Sequence, residues 1–347
     1  MESPAVYFKD LFSGRLRNKK TAGQDRPGAS FRRHPFAVIV RKEIADHIRS
    51  WRFIVLLILI VLTFVGAMYV SLTNLKAAVA NVNDPDHLFL YLKLLTATNG
   101  SLPPFHIFLS FLGALLGISL GFDAINAEQN NGTLIRLLAQ PVYRDNLLLA
   151  KFVSALVVVA VLFVSLSLLM IGSGLIITGV RMEAVEFFRI LSFDILTVLY
   201  VGFWLSLAIL LSVKFKQATT SALTAIGIWI FFTVFYRIIV NLIVSSVFPD
   251  PALMAPEDVL SYNNTVLNLL RLAPSQLYTD ATTTLLMPSV RSLGPLTMEQ
   301  MAGAIPSPLS LRESLLIVWP QVSGLLAATA VCFALAYFWF MRREIRN

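Results

Sequence analysis

The sequence has few charged residues and a single cysteine, and each scarcity excludes a class of protein. Charged residues make up 14% of the chain, whereas a soluble domain carries about 25%. Hydrophobic residues reach 56% and the mean hydropathy is +0.73. This composition indicates a protein that crosses a membrane several times. Cys332 has no second cysteine to pair with, which excludes disulfides within the chain and cysteine-based metal sites.

Motifs for nucleotide binding, catalysis and metal binding are also missing. The sequence contains no GxxxxGK[ST] phosphate-binding loop. Its four histidines lack metal-ligand spacing, and no Ser-His-Asp arrangement or pair of carboxylates indicates catalysis. We therefore predict that this chain is not an enzyme, has no catalytic residue or metal site, and binds no cofactor. Alternating ten-residue segments typical of an outer-membrane barrel are absent as well.

Six apolar stretches are long enough to cross a bilayer as helices, since a span needs about 20 residues at 1.5 Å each. The third and fifth stretches exceed one upright span, which predicts that they tilt or lie partly outside the hydrocarbon core. The predicted fold class is an all-α polytopic membrane protein with six transmembrane helices. The stretches are residues 53–72, 105–122, 152–180, 191–213, 218–248 and 315–340.

Lysine and arginine are unevenly distributed between the two sides of these spans. With both termini in the cytoplasm, the cytoplasmic segments hold 20 of the 28 basic residues and the outer segments hold 7. Acidic residues show no such bias, with 9 inside and 10 outside. The positive-inside rule therefore predicts a multi-pass protein of the cell membrane with both termini in the cytoplasm. The net charge of +8 follows from this distribution and does not indicate nucleic-acid binding.

Two segments precede the first span. Residues 1–35 are basic and predict a mobile cytoplasmic arm near anionic headgroups. Residues 36–52 predict an amphipathic connecting helix along the inner leaflet, which serves either as a generic anchor or also as a contact for a cytoplasmic partner. Its apolar residues recur at helical spacing: Phe36, Val40, Ile44, Ile48 and Trp51.

The remaining organisation follows from the loops. Residues 53–248 hold the first five spans, with a cytoplasmic segment at 123–151 between the second and third. Residues 249–314 form an extracytoplasmic segment that is long for an unstructured loop. We expect short helices in it, folded over the outer mouth, where a partner outside the cell could bind. Residues 315–347 comprise the sixth span and a cytoplasmic tail.

A short helix is predicted within the cytoplasmic segment 123–151, at about residues 133–140. Thr133 can cap its start, and Pro141 ends it because the residue before a proline disfavours the helical region. A ridge of apolar side chains fits a groove in a partner or packs on this protein, and the residues alone leave both open. The ridge consists of Leu134, Leu137 and Leu138.

Polar residues inside the spans mark a possible intramembrane site. Asp194 and Arg237 interrupt apolar stretches, and Asn241 lies one turn after Arg237. Charges in hydrocarbon usually face a cavity or a partner, although placement at the interface with snorkelling is the simpler reading. The functional reading is a translocation path or an outer gate.

Two groups of these residues resemble the ABC-2 type permease family, the membrane subunits of type-2 ABC exporters. In the cytoplasmic segment they are Glu128, Gly132, Thr133, Leu134, Leu137, Leu138, Ala139, Pro141, Val142, Arg144 and Lys151. Before the first span they are Arg41, Lys42, Glu43 and Arg49. The six-span plan and the long loop between the last two spans also resemble this family and the G-type exporters.

The resemblance implies a fold and a set of partners. The fold would be that of a type-2 ABC exporter, and helix 133–140 would be the coupling helix, with its leucines in a cleft of an ABC ATPase. Glu128 would pair with a basic residue of the connecting helix or of the ATPase, and Arg144 would meet an acid of the ATPase or a lipid phosphate. ATP and Mg would bind to the partner, because this chain lacks a phosphate loop.

The number of spans predicts the stoichiometry of the transporter, and other functions remain as alternatives. Six spans make one half of a transporter, so we predict two ATPase subunits and a second copy of this chain or a similar permease. The alternative is a stand-alone channel or secondary transporter, which would need intramembrane ion-coupling residues or broken helices. A membrane-embedded enzyme lacks a catalytic set. Apolar spans weakly favour a lipidic, drug-like or peptide cargo over an ion.

Overall fold

The computed structural model describes residues 35–78, 89–96, 103–132, 144–248, 256–288 and 308–342. Within these ranges the regular structure is helical and no strand occurs, which confirms the predicted all-α class. The predicted arm lies outside the described residues except for Pro35, and so does the predicted helix at 133–140.

Twelve α-helices are described, and a π-helical segment, Phe231–Phe235, joins two of them. In chain order they are α1 (Pro35–Arg49), α2 (Trp51–Ala78), α3 (Leu90–Thr96), α4 (Phe105–Gly121), α5 (Asn126–Asn130), α6 (Arg144–Thr178), α7 (Ala184–Lys214), α8 (Ala218–Ile230), α9 (Tyr236–Val247), α10 (Pro256–Leu270), α11 (Pro274–Leu286) and α12 (Leu311–Arg342).

Six helical runs are long and apolar enough to cross a membrane, and they correspond to the six predicted stretches. Spans one to four are α2, α4, α6 and α7. The fifth is α8 and α9 with the π-helical segment between them, and the sixth is α12. The predicted six-helix membrane fold is therefore confirmed.

The fourth span starts earlier than the sequence predicted. Helix α7 begins at Ala184 instead of residue 191, because Glu183 and Glu186 form a reciprocal capping box at its first turn. A boundary placed by hydropathy stops at charged residues, although a capped helix continues through them. Glu186 and Arg189, which the sequence assigned to an outer loop, thus belong to the helix.

Helix α7 is the most buried span. In its most apolar window 78% of the residues are buried, against 17% for the fifth and sixth spans. Trp204 and Tyr200 on α7 are fully buried and lie edge to face. The other spans therefore pack around α7 and leave much of their apolar surface uncovered by this chain.

Three glycines on α4 bring its backbone against α7. They are Gly113, Gly117 and Gly121, spaced four residues apart on one face. A Cβ atom at Gly117 would lie 2.6 Å from the carbonyl oxygen of Val201, and one at Gly121 would lie 2.8 Å from that of Leu205. Such contacts are too short for any side chain, so the two helices approach as closely as backbones allow.

Two helices of the predicted outer segment, α10 and α11, pack against the spans. Val240 and Val244 of α9 are buried with Leu270 of α10. The Tyr236 hydroxyl donates to the carbonyl of Leu269, 2.7 Å away. The end of the fifth span is thus attached to α10.

Helix α1 covers most of the predicted connecting helix, and one residue, Ser50, separates it from α2. Part of the predicted apolar stripe is uncovered, since Ile48 and Trp51 are exposed. The residue that α1 buries most deeply is instead Glu43. Within the stripe, Ile44 packs against the core, so the amphipathic pattern is only partly satisfied by this chain, and Glu43 lies on the side of α1 that meets the protein most closely.

Candidate functional site

A cavity of about 450 Å³ lies where α1 and the start of α2 meet the end of the second span and the start of the third. Its walls are unusually polar for this chain, because eight of the lining side chains are ionisable. The lining residues are Lys42, Glu43, Asp46, His47, Ser50, Arg52, Ser119, Leu120, Asp123, Ala124, Ala127, Glu128 and Lys151.

A buried lysine bridges two carboxylates across this cavity. The Lys151 ammonium of α6 lies 2.9 Å from Glu43 Oε2 of α1 and 2.7 Å from Glu128 Oε1 of α5. The exposed fractions of these side chains are 7%, 6% and 13%. Because charges this deeply buried are costly without partners, the three groups hold three separate elements together.

A second lysine extends the network toward the surface. Lys42 Nζ lies 2.9 Å from Glu43, 3.3 Å from Asp46 and 3.9 Å from Glu128. Half of this side chain is exposed, so solvent screens its ion pairs and each contributes little to stability. We call Lys42, Glu43, Glu128 and Lys151 the charge cluster.

Charges and burial in the cavity shift the pKa values of three of its groups. Burial alone would raise the pKa of Glu43, but the charges and hydrogen bonds of Lys151 and Lys42 outweigh burial and lower it. Burial alone would lower the pKa of Lys42, but Glu43, Glu128 and Asp46 raise it. Burial lowers the pKa of His47. At neutral pH these shifts favour a charged Glu43 and a charged Lys42 beside a neutral His47.

Hydrogen bonds attach α5 to the fourth span. The Ser212 hydroxyl of α7 accepts from the backbone N–H groups of Ile125 and Asn126, at 3.0 and 3.3 Å. The Asn130 side chain donates to the carbonyl of Lys216, 3.3 Å away, between the fourth and fifth spans. Glu128 is thus presented from a short helix that is secured at both ends.

A second ion pair connects the start of the first span to the end of the second. Arg52 Nη1 lies 2.6 Å from Asp123 Oδ2, and the guanidinium lies over the Phe122 ring, 4.7 Å from its centroid. This arginine is about half exposed. The second span is thereby joined to the start of α2 through Arg52 and Asp123, and the third span is joined to α1 through Lys151 and Glu43.

Gly132 ends the described part of this region. Its φ angle is +67°, a conformation that favours glycine, and it lets the chain turn sharply away from α5. Thr133, Leu134, Leu137, Leu138 and Pro141 lie outside the described residues. Arg144 begins α6, and its side chain is not among those described. The cavity is therefore lined by residues from both sides, in sequence, of the predicted coupling helix: Glu128 precedes it and Lys151 follows it.

The other predicted residues of the connecting helix occupy different positions. Arg41 and Arg49 are exposed, whereas Lys42 and Glu43 belong to the charge cluster. Exposed arginines on α1 are available to a cytoplasmic partner or to lipid phosphates. Their roles stay predictions.

The predicted intramembrane residues do not form one site. Asp194 is buried and accepts a hydrogen bond from the Ser167 hydroxyl of the third span, at 2.8 Å. Arg237 and Asn241 are exposed on α9, and Arg237 lines a second cavity. Asp194 and Arg237, both within the described ranges, do not form an ion pair.

Sequence reasoning missed Arg189, a fully buried cation. Its guanidinium donates to the carbonyls of Leu285 and Leu309, at 3.0 and 2.6 Å, and to the Ser314 hydroxyl, at 3.1 Å. It thereby fastens α11 and the start of the sixth span to the fourth. The capping box at Glu183 was the one signal that could have placed it inside a helix.

Comparison with known proteins gives one family over most of the chain. The family described as ABC-2 family transporter protein matches residues 37–345. A protein named "Probable ABC transporter permease protein NosY" from Stutzerimonas stutzeri is 30% identical over 203 residues, which cover 58% of this chain and 67% of that relative. A protein of the same name from Pseudomonas aeruginosa is 29% identical over 202 residues, covering 57% and 66%.

Proposed function

The chain belongs to the ABC-2 family of transporter proteins, and from that premise we propose that it is the permease of an ATP-driven exporter whose ATPase is a separate subunit. Two ATPase subunits would bind ATP and Mg. They would act on two permeases, either two copies of this chain or this chain with a similar one. The relatives named as permeases support this role.

The observation that carries the proposal is the Lys151 bridge. Residues 133–143 would be the segment on which the ATPase acts, with Leu134, Leu137 and Leu138 as its apolar contacts. This segment lies in sequence between α5 and α6. Lys151 of α6 pairs with Glu128 of α5 and also with Glu43 of α1. A displacement of the coupling segment would therefore reach α1, α5 and the third span together.

The motion would continue into the membrane through contacts already described. Ser212 attaches α5 to the fourth span, and the close backbone contact at Gly117 joins the second span to the fourth. ATP binding that closes the two ATPases would thus shift packed helices between inward-facing and outward-facing states. The termini would lie in the cytoplasm of a bacterial or archaeal cell, and residues 249–314 would face outward.

Copurification tests the central claim. A tagged chain isolated from its native cells in mild detergent should bring down a separate protein with a phosphate-binding loop. Mutation of the predicted ridge, Leu137→Asp with Leu138→Asp, should abolish this binding, because charges would replace apolar contacts. A chain that retains transport while no nucleotide-binding subunit accompanies it would contradict the proposal.

Glu128 tests how the work is transmitted. In proteoliposomes containing the complex, Glu128→Ala should keep the ATPase bound but lower ATP hydrolysis several-fold, because α5 loses its ion pair with Lys151. Asp46→Asn is the matched control, since that carboxylate is mostly exposed and contacts only Lys42 within the charge cluster. Full ATP-driven activity of the Glu128→Ala complex would count against this role.

A further inference from the structure

A second cavity, of about 240 Å³, opens beside the π-helical segment of the fifth span. Three elements contribute polar groups to it: Ser110 comes from the second span, Arg237 from the fifth, and Gln276 from α11. Polar groups converging from three elements are unusual in so apolar a chain, and π-helical segments often occur at functional sites. We infer that this cavity binds a phosphate-ester headgroup of an anionic membrane lipid.

Depth places the cavity at the level of lipid phosphates. Arg237 lies 19 residues beyond Ala218, the start of α8, or about 28 Å along a helix. The hydrocarbon core is about 30 Å thick. Ser110 lies five residues from Phe105, the outer end of the second span in the proposed orientation. The cavity therefore extends from the boundary between hydrocarbon and headgroups, at Arg237, about 8 Å into the outer leaflet, at Ser110.

Charge determines which ligand fits. No described carboxylate lies within ion-pair distance of Arg237. Asp280 of α11 is paired with Arg271, 3.1 Å away, and accepts a hydrogen bond from Gln276 at 2.7 Å. The cavity is thus positive, and the planar arginine fork suits two oxygens of one phosphate.

The start of α11 adds to this positive field. Ala273 is its N-cap residue, no side chain caps it, and Ser275 and Gln276 of its first turn line the cavity. The N-terminal end of a helix carries a partial positive charge. Arginine and helix end therefore face the same space from opposite elements.

Size separates a headgroup from a whole cargo molecule. Pockets that enclose drug-sized ligands measure about 300–1,000 Å³, and 240 Å³ corresponds to about eight waters at their liquid volume. Acyl chains would have to remain outside the cavity. Exposed apolar residues of α9, including Ile238 and Leu242, offer them a surface.

This inference rests on the orientation in the proposed function but not on ATP coupling, so it is tested on the purified full chain without an ATPase. The delipidated protein is titrated with dioleoylphosphatidylglycerol, dioleoylphosphatidylcholine or soluble glycerol phosphate. Binding is measured by native mass spectrometry and by the rise in thermal midpoint that a ligand of the folded state produces. The anionic lipid should bind more tightly than the zwitterionic one.

Variants distinguish a specific lipid-binding site from a solvent-exposed Arg237 that binds no lipid. Arg237→Gln should weaken binding about tenfold, as expected for loss of a charged hydrogen-bonding group. Ser110→Leu fills the cavity from the opposite wall and should weaken binding although Arg237 remains. Arg181→Gln, an exposed outer arginine beyond the cavity, should bind as the unaltered chain does.

The outcomes identify the ligand or reject it. Binding of glycerol phosphate that depends on Arg237 supports a site for the phosphate ester alone, whereas Arg237-dependent binding of the lipid only shows that the acyl chains contribute. The inference is overturned if both lipids bind equally, or if Arg237→Gln and Ser110→Leu bind like the unaltered chain. Neither result would bear on copurification of an ATPase.

Discussion

Lys151 is the residue on which the charge cluster depends most. It neutralises Glu43 and Glu128, two carboxylates that are otherwise almost inaccessible to water. Removing one member of a buried ion pair costs more than the pair itself contributes, because the other charge stays buried. A single substitution here therefore affects three elements together.

We predict that Lys151→Met lowers the free energy of unfolding by about 3–5 kcal/mol. Lys42→Met should change it by less than about 1 kcal/mol, because Lys42 is half exposed and screened. Unfolding in mixed micelles followed by circular dichroism measures both. Equal effects of the two substitutions would contradict the difference in burial on which the prediction rests.

His47 should make the stability of this region depend on pH. Burial lowers its pKa below 6.5, with Lys151 acting in the same direction and with Glu43, Asp123 and Asp46 opposing. Between the lowered pKa and 6.5 the unfolded chain binds more protons than the folded one. Stability should therefore fall as the pH drops below about 6.5 and through the lowered pKa.

Thermal midpoints between about pH 8 and about pH 5 measure this dependence. His47→Gln should flatten the decline that begins near pH 6.5, because glutamine does not titrate. An unchanged decline in the variant would assign it to other groups.

At the scale of elements, the contact between α4 and α7 sets the packing of the second span on the central helix. Gly117→Ala should lower the free energy of unfolding by about 1–3 kcal/mol, since the added methyl group forces two backbones apart. Gly66→Ala on α2 is the matched control, because a Cβ there meets no atom within 4 Å. It should be neutral or slightly stabilising.

The same unfolding assay compares the two glycine variants. A Gly117→Ala protein as stable as Gly66→Ala would show that the second and fourth spans separate without cost. A helix contact built on glycines would then not transmit motion between them.

At the scale of the whole molecule, labelling can establish the orientation of the chain in the membrane. In a Cys332→Ala background, Arg181→Cys should react with a membrane-impermeant maleimide added to intact cells. Gln217→Cys should react only after permeabilisation. Both positions are exposed and lie between spans, so the difference reports the side of the membrane on which each lies.

The reverse labelling pattern would invert the molecule. The charge cluster would then face outward, where no ATPase could act on it, and the cavity at Arg237 would face the inner leaflet. The positive-inside distribution of Lys and Arg predicts labelling of Arg181→Cys in intact cells and of Gln217→Cys only after permeabilisation.

The sequence by itself determined the number of spans, the all-α class and the position of the polar segment between the second and third. These features depend on the length and polarity of contiguous segments, because a bilayer accepts only helices or closed barrels of sufficient apolar length. The predicted start of the fourth span was wrong, because the capping box begins the helix at Ala184 and the helix continues through charged residues.

Only the tertiary structure decided which polar groups meet. Lys151 and Glu43 are 108 residues apart in the chain, and helix packing brings them together. Asp194 pairs with Ser167 for the same reason, while Arg189 finds its acceptors on α11 and on both sides of the start of α12. Hydrophobic patterning reports which segments enter the membrane, but every span is apolar enough to pack against any other. Which spans pack against one another therefore depends on the shapes of their surfaces and on their buried polar and charged groups.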